Sequence, residues 1–123
     1  MKFAVMIALG LAAGSVQAQT SCSARLLVSG YFSNNVHVYN ACTGAFERLL
    51  DSQNRISGAQ TTRVSADGIL YVVSEGNGQV LRYDAQTLAF ESAVIALPAN
   101  FGGTGMVLAD AGEIWVAGYT YDG

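Results

Sequence analysis

Short runs of aliphatic, β-branched and aromatic residues recur along the chain, separated by breaks rich in glycine, asparagine and aspartate. The clearest series is 61–65, 69–74, 79–84 and 90–97, which predicts four strands in succession. Leu70, Tyr71, Val72 and Val73 are apolar at consecutive positions. Both faces of that strand are therefore expected to be covered. Asp67-Gly68 is expected to make a primed hairpin turn between the first two strands, because glycine supplies the positive φ. Asn77-Gly78 is expected to do the same between the second and third. Asp84 and Thr87 flank a turn in which short polar side chains can bond nearby backbone N–H groups.

The strand pattern repeats. A shift of 44 residues places Leu26 on Leu70, Val28 on Val72, Val36 on Val80 and Tyr39 on Tyr83 without a gap. The same shift carries Gly58 to Gly102, Leu70 to Ile114, Tyr71 to Trp115 and Glu75 to Tyr119. Four antiparallel strands in about 40–45 residues is the spacing of a β-propeller blade. The expected fold is all-β. It has a first blade over 26–50, a complete second blade over 61–97 and the start of a third over 105–118. About two and a quarter blades cannot close a ring, for which about four are needed. Nine strands do not tile into four-stranded blades. The expectation is thus a truncated piece of a longer propeller, with assembly from several copies as the alternative.

Residues 1–18 have a different pattern. Lys2 precedes an uncharged apolar run over 3–13, and Val16 and Ala18 occupy the two small-residue positions before a cleavage site. This segment reads as a cleaved signal peptide, too short for the roughly 20 residues of a membrane span. Export makes the protein secreted or periplasmic. It also makes a disulfide between Cys22 and Cys42 plausible, the alternative being two separate thiols. Without residues 1–18 the chain carries five arginines against nine carboxylates, a net charge of −4. An acidic surface without clustered basic residues argues against nucleic acid and against an anionic lipid surface. Zinc-type Cys and His spacings are absent, and no metal or cofactor is expected.

The pattern D-G-x-L-Y-V-x-S-x-x-N-x-x-V-x-R-Y-D-x-x-T, as it stands over 67–87, resembles the NHL-type repeat. That repeat is shared by propellers that include the streptogramin-lyase and gluconolactonase-like families. The resemblance implies blades, and it implies no single activity, since such scaffolds serve ligand binding, protein interaction, hydrolysis and lyase chemistry. The metal-binding carboxylate that gluconolactonase-like enzymes place at the start of the propeller has no match here.

In a propeller the loops entering each first strand and those joining second to third strands gather around the channel. The repeat register assigns 31–35, 58–62, 75–78, 102–106 and 119–123 to that end. Glu75, with Tyr31 and Tyr119 as its repeat equivalents, is the leading candidate. A carboxylate between aromatic rings can bind a cation or act as a general base. The competing expectation is a solvated loop glutamate. Gln60, Arg63 and Thr104 are the further candidates, facing either a ligand or the neighbouring blade. His37, the sole histidine, aligns with Leu81 and is expected to pack, with no serine or cysteine nucleophile beside it. Gly102 to Gly105 lack the helix and lysine of a phosphate loop and are expected to form a turn with close backbone approach at the channel.

No catalytic residue is assigned. The function expected is an exported scaffold binding a small ligand or a protein. The alternative is a fragment of a lyase- or lactonase-type enzyme whose catalytic residues lie in other blades. Partner surfaces would include remaining blades of the same polypeptide or self-association through open blade faces.

Overall fold

A computed structural model describes residues 22–110 and 112–121. The expected signal peptide lies outside the described residues. The described chain is all-β, with three antiparallel sheets that follow one another in sequence and do not close a ring. The first sheet holds β1 (Arg25–Gly30), β2 (Asn35–Asn40) and β3 (Phe46–Leu49). The second holds β4 (Ala59–Val64), β5 (Ile69–Ser74), β6 (Gln79–Asp84) and β7 (Phe90–Ala96) in sequence order. The third pairs β8 (Phe101–Leu108) with β9 (Ile114–Thr120).

Continuous apolar runs produce this stacking. On β5, Leu70 and Val72 point to one side, where they meet Val36 and Val38 of β2 together with Leu81 and Tyr83 of β6. Val73 points to the other side and joins Val80 and Met106, with Val116 and Ile114 of β9 packed against them. The second sheet is therefore apolar on both faces because it is covered on both. Each fully buried aliphatic side chain contributes roughly 1.5–3 kcal/mol.

Repeat-equivalent polar groups close the outer turns. Asp84 Oδ1 accepts from Gln86 N at 2.9 Å and Thr87 N at 2.6 Å, and Asn40 Oδ1 accepts from Cys42 N and Thr43 N at 2.9 Å. Positive φ angles follow at equivalent positions, Gly44 at 72° and Leu88 at 63°. Cys22 is bonded to Cys42, with Cα atoms 6.3 Å apart, tying the segment before β1 to the β2–β3 turn.

The two hairpin loops differ from the expected primed pairs. Only the glycine of each pair has positive φ, 82° at Gly68 and 61° at Gly78. Between β4 and β5, Gly68 N donates to Ser65 O at 3.1 Å, and Ser65 N donates to Ile69 O at 2.8 Å. That is a longer loop closed by a glycine bulge. Between β5 and β6 the chain makes a 3₁₀ turn, Glu75–Asn77, ended by left-handed Gly78. The 3₁₀ turn carries Glu75 inward instead of leaving it at a loop tip.

Candidate functional site

Two adjoining features fix the position of Glu75. The 3₁₀ turn is stitched to the segment before β4, because Glu75 N donates to Gly58 O at 3.1 Å and Gly76 N to Ser57 O at 2.8 Å. Its side chain then reaches across to the third sheet. The step is possible because Gly102 has no side chain: a Cβ there would lie 2.9 Å from Glu75 Oε1 and 2.9 Å from Tyr119 Cζ.

Three donors meet the carboxylate. Tyr119 and Tyr121 both donate their hydroxyls to Oε1, the latter at 2.6 Å, and Gln60 Nε2 donates to Oε2. The two tyrosine hydroxyls lie 2.9 Å apart, with their rings edge to face at 4.9 Å. Gln60 is turned toward Glu75 at an irregularity in the β4–β5 ladder between Ala59 and Thr62. A bulge re-aims a side chain in this way.

Glu75 is only 5% exposed, so the expectation of a solvated loop glutamate is corrected. Burial pushes its pKa up, but hydrogen bonds from Tyr119, Tyr121 and Gln60 outweigh burial and hold it below the usual carboxylate value. The same bonds raise the pKa values of Tyr119 and Tyr121, because ionising either phenol would cost the bond to Glu75. At neutral pH the site is one fixed negative charge beneath two protonated phenols. An ionised carboxylate offers about four acceptor positions, of which three are used.

Two of these partners present aromatic rings to solvent. Tyr119 and Tyr121 are 46% and 51% exposed. Tyr31 leans on Gly58, where a Cβ would lie 2.9 Å from its Cε2, so it repeats one sheet earlier the contact that Glu75 makes with Gly102. Phe32 stacks edge to face on Tyr31 at 5.2 Å. Beside Glu75 and Tyr121 a groove of about 440 Å³ runs between Asn77, Gly78, Pro98 and Asn100.

The structure thus brings together Glu75, Gln60 and Tyr119 of the expected residues, with Tyr31 on the rim. Arg63 does not join them. It lies opposite Tyr71 in the β4–β5 ladder, is exposed, and donates to Thr62 O at 3.0 Å. Thr104 serves the sheets: its carbonyl accepts from Thr61 Oγ1 at 2.5 Å, and its hydroxyl donates to Ala117 O at 3.3 Å. Residues 102–105 lie within β8, not in a turn. Tyr121 was missed, since its repeat equivalents are Asn77 and Ser33 and neither marks a site.

His37 also departs from expectation. Its Nε2 lies 2.9 Å from Ser33 Oγ across the β1–β2 loop. Ser33 Oγ also lies 3.2 Å from Gly30 O, and the imidazole packs near the ring of Phe46 at 6.1 Å. Among the described residues no carboxylate bonds the other ring nitrogen, so the pair is not a triad. No group of three or more His, Cys, Asp or Glu side chains suited to a metal occurs among the described residues. No helix of the described residues is long and apolar enough to cross a membrane. No protein-family model matches the chain, and no curated protein matches it.

Proposed function

We propose that this chain is an exported, NHL-type β-propeller unit that binds the positively charged group of a small ligand or a partner protein. The binding end is the one carrying Glu75. The observation that carries the reading is the ionised Glu75 carboxylate held beneath the exposed rings of Tyr119 and Tyr121, beside a groove. A cation gains from the ring faces and from the fixed charge together.

Several features support the propeller reading. The sheets follow a 44-residue sequence repeat, and the complete sheet has four strands in sequence order. Strand β4 contacts both β1 and β8, as inner strands converging on one axis do. Three such sheets do not close a ring, so this reading requires further blades alongside, from this polypeptide or from other copies. The Cys22–Cys42 bond fits an oxidising compartment.

The reading is tested by titrating tetramethylammonium chloride into the protein and following the tyrosine ring NMR signals. Saturable shifts at Tyr119 and Tyr121 are expected, reduced about tenfold in apparent affinity by Tyr121→Ala. Linear, non-saturating shifts, or shifts confined to other tyrosines, would contradict it.

A further inference from the structure

A second groove, of about 230 Å³, lies between the first two sheets and away from Glu75. Arg48 and the segment after β3 form one wall, and Tyr83 and Phe90 of the second sheet form the other. Arg55 spans the groove: its guanidinium carbon stands 4.3 Å from the centre of the Phe90 ring, its Nη1 donates to Asp51 Oδ1 at 2.7 Å, and its Nη2 donates to Gln53 Oε1. The side chain of Asp51 is itself 1% exposed and also accepts from Arg55 N at 2.6 Å.

Tyr83 is the anomaly. The residue is 1% exposed, yet its hydroxyl has no hydrogen-bond partner among the described residues. A buried hydroxyl without a partner is destabilising, because it has given up water and gained nothing in return. The hydroxyl is a donor, because burial, and then Asp51, push its pKa above the ordinary phenol value despite Arg55. What it lacks is an acceptor.

We propose that this groove binds a small carboxylate, which accepts from the Tyr83 hydroxyl and from Arg48 at the rim. Two guanidinium groups and one carboxylate leave the site with one net positive charge. That balance suits a monoanion better than a dianionic phosphate, which Asp51 would repel more strongly. Arginine presents a planar fork that matches the two oxygens of a carboxylate. Arg55, stacked on Phe90 and bonded through its Nη atoms to Asp51 and Gln53, supplies fixed positive charge, and the fork that meets the ligand is that of Arg48. Arg48 is exposed and, among the described residues, bonded only to the carbonyl of its neighbour, Leu49, at 3.1 Å, which leaves its other donors for a ligand.

The test is a titration of sodium acetate into the whole chain at constant ionic strength, read from the NMR signals of Tyr83, Phe90 and the arginine side chains. Inorganic phosphate is run as the contrast. Saturable shifts at those residues are expected with acetate, and weaker ones with phosphate. Tyr83→Phe and Arg48→Ala should each weaken acetate about tenfold, the loss of one charge-assisted hydrogen bond. Arg48 is on the surface, so its variant keeps the test open if Tyr83→Phe fails to fold. Failure of acetate to saturate overturns the proposal. So does acetate binding that neither variant changes, which would leave water as the partner of Tyr83. Phosphate binding more tightly than acetate overturns the monoanion assignment.

Discussion

Burying the Glu75 carboxylate against β8 raises the cost of its charge, and hydrogen bonds from Tyr119, Tyr121 and Gln60 offset that cost. Its folded pKa is therefore depressed from the ordinary 4.5. The stability it contributes is present above that unfolded value and is lost as pH falls through the lower folded one. Thermal unfolding of Glu75→Gln should show about 2 kcal/mol of destabilisation at pH 7, with the gap to wild type closing on acidification. In the same variant the alkaline titration of Tyr119 and Tyr121 should move down toward ordinary phenols, because the charged carboxylate that raises them is replaced by a neutral amide. Gly102 carries the complementary prediction. Gly102→Ala would press a methyl group 2.9 Å from both Glu75 Oε1 and Tyr119 Cζ, and should cost about 1–3 kcal/mol in denaturant unfolding. The repeat register exposed Glu75 as the position that departs from its tyrosine equivalents. It did not expose the burial, because whether a loop carboxylate faces water depends on which neighbour leans over it. The neighbour here, Tyr121, stands where the other copies have asparagine and serine.

Strand placement followed from local pattern with little error. Expected strands over 69–74 and 79–84 coincide with β5 and β6, and 61–65 and 90–97 differ from β4 and β7 only at their ends. Alternation and β-branched content are properties of the strand itself, so they are visible without tertiary contacts. Loop geometry was less legible. Asp67-Gly68 and Asn77-Gly78 look alike as dipeptides, yet one closes a glycine bulge and the other ends a 3₁₀ turn. The difference arises from partners distant in sequence, since residues 75–76 are held by the carbonyls of Ser57 and Gly58. The bulges that aim Gln60 and set Thr104 on the seam were likewise beyond a one-dimensional pattern. At this scale the disulfide gives a direct prediction. Replacing Cys22 and Cys42 together by serine opens a loop of 20 residues and should remove about 3 kcal/mol of stability in urea unfolding. Hydrogen exchange should rise first in β1 and the β2–β3 turn, the elements that the bond ties together.

The three sheets stack face to face in order, and nothing among the described residues covers the outermost faces. Leu26 at 54% and Val28 at 43% exposure lie on one outer face, the repeat equivalents of fully buried Leu70 and Val72. On the other outer face Trp115 is 66% exposed. Uncovered apolar sheet faces drive association. Sedimentation of the whole chain should therefore show concentration-dependent self-association, weakened by Trp115→Lys. What joins fold and site is the side chain that starts the β1–β2 loop and the one that starts the β5–β6 loop, each reaching onto a glycine at the next sheet. Tyr31 does so at Gly58, and Glu75 does so at Gly102 under Tyr119 of β9 and Tyr121 just after it. A nuclear Overhauser spectrum of the whole chain tests that arrangement most directly. Cross-peaks are expected from the Tyr31 ring to the α protons of Gly58, and from the Tyr119 and Tyr121 rings to the γ protons of Glu75. Intact strand cross-peaks within each sheet, with those contacts between sheets missing, would contradict it.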